Sequence, residues 1–116
     1  MFTVKDVLDS KRSPIKATDL SAPEVLGKLP PLYFSETLSP ENTLVPVKFF
    51  TPDTDWTWYA IEYDPETRTF FGLVDGFERE LGYFNLDELE SLRGPIGMAV
   101  ERDLYWNEST TLSEIA

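Results

Sequence analysis

The chain has 116 residues, a net charge of −11, and neither cysteine nor histidine. This length favours one domain, whose folding buries enough apolar surface for a single hydrophobic core. The lack of cysteine and histidine excludes zinc sites built on thiolate or imidazole, Ser-His-Asp and Cys-His nucleophiles, and proton transfer by histidine. Any catalysis would therefore use carboxylate, lysine, tyrosine or serine side chains.

The negative charge lies in the second part of the chain. Residues 1–48 contain equal numbers of acidic and basic side chains, and no lysine follows Lys48. Residues 49–116 therefore carry the whole net charge of −11. Such a surface repels nucleic acid and anionic membranes and attracts basic proteins. We expect a partner with a basic protein surface, no direct binding of nucleic acid or membrane, and no cofactor.

Hydropathy and cysteine content favour a cytoplasmic protein. No apolar run approaches the length of about 20 residues that a spanning helix needs. No signal-peptide pattern opens the chain. The lack of cysteine excludes the disulfides that are common in proteins outside the cell.

Residues 1–17 are predicted to form an extension in front of a single domain of residues 18–116. Thr3 and Asp6 have the spacing of a capping box that opens a short helix. The following basic and polar segment is interrupted by Pro14, which is typical of a linker.

A second helix start is predicted at the beginning of the domain. Ser21 is placed to cap this helix, and Glu24 completes the capping box. Pro30 and Pro31 cannot continue a helix, so we expect it to end just before them.

Alternating apolar and polar residues predict the strands of an antiparallel sheet. The first four strands are expected at residues 46–50, 56–63, 69–74 or beyond, and 81–84. Residues 64–67 read Asp-Pro-Glu-Thr, the signature of a type I turn, so the second and third strands should form a hairpin. Gly72 and Gly76 suggest a bulge or a close backbone approach.

The C-terminal part adds a helix and an edge strand. Asn85 and Glu88 form another capping box, and the helix should end before Gly94. Residues 98–102 are expected to form a fifth strand, and residues 111–116 at most one helical turn. This order predicts an α+β fold, with a small antiparallel sheet of four to five strands, a short helix packed on one face and an N-terminal helical extension.

Short blocks along the chain match a known family in the same order. The blocks are LPPLY (29–33), VKFFTP (47–52), WTWY (56–59), FFGLV (70–74), GFE (76–78), ELGYF (80–84), ELES (88–91), RGP (93–95), ERDL (101–104) and TLSE (111–114). Over about residues 29–114 the chain resembles the uncharacterised family "domain of unknown function 2958". The resemblance implies a gene carried by plasmids, phages or integrative elements, and it brings no set of catalytic residues.

The first candidate site is an acidic surface for partner binding. It consists of Asp53, Asp55, Glu62, Asp64, Glu66, Asp75, Glu78 and Glu80. Alternate strand residues lie about 6.6 Å apart on one face, and duplex DNA places a phosphate about every 3.4 Å along each strand. Rows of carboxylates could therefore act as a DNA mimic in the basic groove of a nuclease, a restriction complex or a CRISPR effector. The alternative is that these acids only keep the protein in solution.

Two further sets of residues are candidates for partner binding. Trp56 and Trp58 lie on one face of the second strand and could form a stacking platform, or they could build the core under the Asn85 helix. Stacking on single-stranded nucleic acid is disfavoured because no basic track accompanies them. Arg102 is either an anchor for a partner or the structural counterion of a neighbouring acid.

Carboxylate chemistry is the remaining catalytic option. Asp53 matches the start of a restriction-type nuclease motif, but the lysine that this motif requires downstream is missing, and Arg68 holds its proton too firmly to replace it. A hydrolase with two carboxylates would require a buried pair of acids with opposed pKa shifts. The sequence assigns no catalytic and no metal-binding residue.

The sequence thus predicts a non-catalytic binding protein from a phage or plasmid. It would occlude a basic, nucleic-acid-binding surface of a host defence protein, as inhibitors of the anti-restriction or anti-CRISPR type do. One alternative is an accessory module that binds a peptide or small ligand in a pocket between the sheet and the Asn85 helix, which a deep apolar pocket lined by Trp56 or Trp58 would favour. The other is a carboxylate-dependent hydrolase.

Overall fold

The computed structural model describes residues 16–116, which form a five-stranded antiparallel sheet with short helices. In chain order the elements are α1 (Pro23–Leu26), a 3-10 turn (Pro40–Asn42), β1 (Val47–Phe50), β2 (Thr57–Asp64), β3 (Thr69–Asp75), β4 (Arg79–Asn85), α2 (Leu86–Ser91), β5 (Glu101–Arg102) and α3 (Leu112–Ile115). The strands lie in the order β4-β3-β2-β1-β5. The α+β prediction is confirmed, while the predicted N-terminal helix lies outside the described residues.

The β2–β3 hairpin closes through the turn that the sequence predicts. Asp64 accepts hydrogen bonds from the backbone N–H of Glu66 at 3.1 Å and from the hydroxyl of Thr67 at 2.7 Å. Arg68 then adopts a left-handed backbone conformation with φ of 55° before β3 begins. The turn is therefore stabilised by the side chain of Asp64 within the turn itself, rather than by contacts with distant segments. This is why the turn can be predicted from the local sequence.

A β-bulge in β2 interrupts the predicted alternation. Ala60 opposes Gly72 and Glu62 opposes Phe71, so that Ile61 has no partner of its own. The extra residue moves Glu62 from the face of Ala60 to the opposite face of the sheet. The sequence suggested a bulge or a close approach at Gly72. The close approach is there, since the backbone of β2 leaves no room for a Cβ, but the bulge lies on the neighbouring strand.

One face of the sheet, here called the helix face, packs beneath α1 and α2. Phe70 is at its centre, with the rings of Phe49, Tyr63 and Phe84 at centroid distances of 5.3, 4.6 and 5.1 Å. Each such aromatic pair contributes about 0.5–1.5 kcal/mol beyond the burial of its area. The same core contains Leu20, Val25, Val47, Trp58, Ala60, Leu86, Leu89 and Val100. The expected packing of a helix on one face is therefore present.

The two helices on this face begin in different ways. Asn85 caps α2 as predicted, because its side chain accepts hydrogen bonds from the backbone N–H of Asp87 at 2.8 Å and of Glu88 at 3.4 Å. The prediction that Ser21 caps α1 is wrong, since the N-cap residue is Ala22 and no side chain caps this helix. Among the described residues, no helix is long and apolar enough to cross a membrane.

The opposite face, here called the tail face, is partly covered by the C-terminal segment. Ile61 and Leu73 of the sheet form a second buried cluster with Val45 and Leu112. The indole N–H of Trp106 donates to the carbonyl of Val45 at 2.7 Å and holds the segment against the sheet. The sequence predicted cover on one face only, whereas both faces carry a core.

Candidate functional site

The eight predicted acids do not form one continuous surface. Glu62 is only 3% exposed. Its carboxylate accepts hydrogen bonds from the backbone N–H groups of Tyr33 and Ser35, both at 2.8 Å, and from the hydroxyl of Ser35. The expectation that Glu62 lies on an exposed acidic surface is therefore wrong, because the bulge turns it inward to hold the loop at residues 33–35.

Three other predicted acids are engaged by neighbouring groups. Asp64 closes the β2–β3 turn. Asp53 accepts a hydrogen bond from the backbone N–H of Ile96 at 3.0 Å and anchors the loop that follows α2. Asp75 forms an ion pair with Arg79 at 3.6 Å. These carboxylates have local structural partners, which reduces their contribution to a free negative surface.

The remaining four acids are exposed and form no ion pair with another residue of the described part of the chain. Glu66 lies in the β2–β3 turn, at one end of the sheet. Asp55, Glu78 and Glu80 lie at the other end, because the start of β2 pairs with the end of β3. The structure thus places three of the eight predicted acids at the same end of the sheet, none of them in an ion pair with residues 16–116.

The side chain of Trp56 lies at the same end of the sheet. Its ring packs on Trp58 at a centroid distance of 5.9 Å and edge-to-face on Phe77 at 5.4 Å. Phe77 is 95% exposed, whereas Trp58 is 5% exposed and belongs to the core. Of the two predicted tryptophans, only Trp56 reaches the surface.

Gly76 makes this arrangement of aromatic rings possible. A Cβ at this position would lie 2.4–2.6 Å from three atoms of the Trp56 ring. The ring therefore rests directly on the backbone of the β3–β4 turn. The sequence suggested a bulge or a close approach at Gly76, and the structure shows a close approach, by the ring of Trp56.

Trp56 separates two cavities on the helix face. The first, here called the acidic cleft, has a volume of about 430 Å³ and is lined by Trp56, Val74, Phe77, Glu78, Glu80 and Gly82, among others. The second, here called the apolar pocket, has a volume of about 370 Å³ and is lined by Thr51, Thr54, Trp56, Trp58, Leu92 and Pro95, among others. The apolar pocket is lined by both predicted tryptophans and by residues 92–95, which follow α2, so it lies next to the expected position between the sheet and the Asn85 helix.

A third cavity of about 370 Å³ lies on the tail face, between β4 and the loop before β1. Here called the Tyr83 cavity, it is lined by Tyr33, Leu38, Glu62, Phe71, Leu81 and Tyr83, among others. The neighbouring Tyr33 side chain is the main cause that raises the pKa of Tyr83. Tyr33 adopts a left-handed conformation with φ of 74°, in which its N–H points to Glu62. No local sequence pattern indicates this cavity, because the loop and β4 are distant in the chain.

Arg102 lies far from the acidic cleft. It pairs in register with Phe49 on β1, at the edge of the sheet opposite to β4. Its Nε and Nη2 atoms are buried and contact no acceptor among the described residues. The structure therefore does not bring Arg102 together with the predicted acids or tryptophans.

The marks of carboxylate chemistry are not found in the part of the chain that the structure describes. Glu62 is the single buried acid there, so it has no buried acidic partner. No group of three or more acids in residues 16–116 could hold a metal ion. The acidic cleft instead combines the aromatic side chains of Trp56 and Phe77 with the carboxylates of Glu78 and Glu80.

Comparison with known proteins identifies a family. No curated protein and no solved structure gives a significant match to the chain. The family described as "Protein of unknown function (DUF2958)" matches residues 35–116, which is most of the chain and agrees with the predicted resemblance. The chain therefore belongs to the DUF2958 family.

Proposed function

We propose that this protein binds a basic surface of another protein through the acidic cleft and the acids beside it. The observation that carries the proposal is the position of Asp55, Glu78 and Glu80. Glu78 and Glu80 line the same cleft as Trp56 and Phe77, and Asp55 directly precedes Trp56 in the chain. None of the three forms an ion pair within residues 16–116, whereas Asp53, Glu62 and Asp64 are engaged within the fold.

The chemistry of the cleft favours arginine or lysine as the group that enters it. A cation over the face of a tryptophan gains about 0.5–2 kcal/mol, depending on how far it is desolvated. The exposed carboxylates at the rim add little affinity each, but together they steer a basic partner and speed its association. We therefore expect binding that weakens strongly as salt concentration rises.

The concrete form of the proposal is an inhibitor of a nucleic-acid-targeting defence protein in the cytoplasm. Proteins that bind nucleic acid use lysine and arginine to neutralise phosphates. A chain with a net charge of −11 that binds such a surface would exclude DNA or RNA from it. The mobile-element setting implied by the resemblance favours a restriction or CRISPR effector as the partner, which is an argument by analogy.

Affinity purification on the immobilised protein tests the proposal. A partner is expected to be retained at about 50 mM salt, to elute by about 500 mM, and to be displaced by duplex DNA or by RNA. The triple variant Asp55→Asn, Glu78→Gln, Glu80→Gln should slow association with that partner about tenfold or more.

A matched control removes the same number of charges elsewhere. Glu24, Glu41 and Glu88 are exposed and lie away from the cleft, so Glu→Gln changes at these three positions should alter association much less. Equal effects of the two triple variants on association would show that the net charge, and not the position of the carboxylates, controls it. Retention that is insensitive to salt would contradict the proposal.

A second candidate function is the binding of a peptide or small ligand in the apolar pocket. It is favoured by the volume of about 370 Å³ and by the lining of Trp56, Trp58 and Leu92. Apolar clefts of this size with a few polar groups are typical ligand sites. A fragment screen followed by indole N–H shifts in NMR spectra tests it. Fragments that bind should shift the Trp56 and Trp58 signals and leave that of Trp106 unchanged.

A further inference from the structure

The outer side of β4 is an open sheet edge. β4 has seven residues and is the last strand on its side, with no described segment paired beyond it. It contains no proline or bulge, and its two charged residues, Arg79 and Glu80, both lie where the strand begins. At the opposite edge, β5 has two residues, and the N–H of Arg102 is already bonded to the carbonyl of Ala17 at 2.8 Å.

The hydrogen bonds at both ends of β4 show which backbone groups are free. The N–H of Leu86 donates to the carbonyl of Arg68 at 2.8 Å, and the carbonyl of Glu78 accepts from Gly76 at 3.0 Å. Backbone groups in an antiparallel strand alternate between its two neighbours. The even-numbered residues of β4 therefore face β3, and the N–H and C=O groups of Leu81 and Tyr83 point to the open edge.

The side chains of β4 differ on the two faces of the sheet. On the tail face, Leu81 and Tyr83 are 52% and 58% exposed and form one wall of the Tyr83 cavity. On the helix face, Glu80 and Gly82 line the acidic cleft. A Cβ at Gly82 would meet no neighbouring atom of the described residues within 4 Å, so there is space above Gly82 for a side chain that reaches across β4 to Trp56.

We propose that the β4 edge takes up an extended segment of the basic partner as a sixth strand. This inference rests on the proposed function and specifies how the partner is held. Strand addition uses backbone hydrogen bonds for affinity and alternate side chains for specificity. A segment in which basic and apolar residues alternate fits both faces at once.

A segment of alternating basic and apolar residues fits the β4 edge because successive side chains of a strand point to opposite faces of the sheet. Residues opposite Leu81 and Tyr83 would lie on the tail face and cover their apolar surface. The residues between them would lie on the helix face, where a lysine or arginine passes over Gly82 towards Trp56 and Glu80. A second copy of this chain fits less well, because it would bring another net charge of −11 to the same edge.

A capped heptapeptide of alternating lysine and valine tests the inference by titration calorimetry. The peptide should bind the full-length protein. N-methylation of the backbone amides on the edge that faces β4 should weaken binding about tenfold or more, since each net hydrogen bond is worth up to about a factor of ten. An otherwise identical peptide with glutamate in place of lysine should not bind.

A pair of variants tests the same point on the protein. Leu81→Pro removes an N–H that faces the open edge and leaves the β3–β4 bonds in place, whereas Leu81→Ala shortens the side chain but keeps the N–H. Binding by the proline variant should be about tenfold weaker than by the alanine variant. Circular dichroism verifies the fold, and the N-methylated peptide gives the same test if the proline variant does not fold.

The possible results separate the two proposals. If N-methylation has no effect while Glu78→Gln with Glu80→Gln weakens binding, the acidic cleft binds the peptide and strand addition is overturned. Absence of any binding overturns strand addition, and the purification experiment then tests the proposed function independently. A dimer that Leu81→Pro converts to monomer would show that a second copy occupies the edge, which also overturns the inference.

Discussion

Replacement of Glu62 should destabilise the fold strongly, although its position near a hairpin turn suggests a harmless surface acid. In Glu62→Ala the backbone N–H groups of Tyr33 and Ser35 lose a charged acceptor at 2.8 Å, and the Ser35 hydroxyl loses its partner. Hydrogen bonds to charged groups contribute about 1.5–3 kcal/mol each. Desolvation of the carboxylate and rehydration of the loop offset part of this sum.

We expect a loss of about 2–4 kcal/mol in the free energy of unfolding, from a total of about 5–15 kcal/mol for a domain. At about 4 °C per kcal/mol, the melting temperature falls by about 8–16 °C. Glu62→Gln should cost about half as much, because the amide oxygen keeps one acceptor while its NH₂ group faces a donor.

Urea unfolding and thermal melts followed by circular dichroism measure both changes. Glu66→Ala is the control, since Glu66 is an exposed acid in the turn of the same hairpin. It should shift the free energy of unfolding by no more than about 0.5 kcal/mol. If Glu62→Ala and Glu66→Ala melted at the same temperature, the inward orientation of Glu62 and the role of the bulge would be refuted.

Three further predictions concern other contacts. Gly76→Ala should push the Trp56 ring off the β3–β4 turn, lower the free energy of unfolding by about 1–3 kcal/mol and change the tryptophan fluorescence. An unchanged emission spectrum would argue against the contact between Trp56 and Gly76. Asn85→Ala should cost about 1 kcal/mol in urea unfolding because α2 loses its cap, with Asn85→Asp as a variant that keeps it. Burial is the main cause that raises the pKa of Tyr63, so the folded state holds this proton more tightly than the unfolded state. The free energy of unfolding should therefore fall as pH rises above about 10, and this fall should be smaller in Tyr63→Phe. Unfolding curves at about pH 8 and about pH 11 measure it, and an equal loss of stability in both proteins would contradict the prediction.

Features that depend on neighbouring residues could be read from the sequence. The turn at Asp64 and the cap at Asn85 are formed by side chains that bond to backbone groups two or three residues away. The alternation in β2 places Trp58 and Ala60 on one face as far as the bulge. Local chemistry is sufficient for these features because both partners of each contact lie within one short segment.

Features that depend on distant segments could not be read in this way. The sequence contains no mark of the extra residue at Ile61, because a bulge is defined by the pairing of β2 with β3. The role of Asp53 depends on Ile96, which lies 43 residues further along the chain. Whether an acid is free or engaged is therefore set by the packing of the whole domain.

The difference between the features that the sequence predicts and those that it does not has a simple physical cause. The total charge, the lack of cysteine and histidine, and the alternation of residues in the strands are properties of the chain and are the same in any fold. The open β4 edge, the covered tail face and the position of Trp56 against Gly76 require the strands to be assembled in one order. Contacts between distant residues lower the free energy only after the chain has folded, so their effect on each side chain appears only in the folded structure.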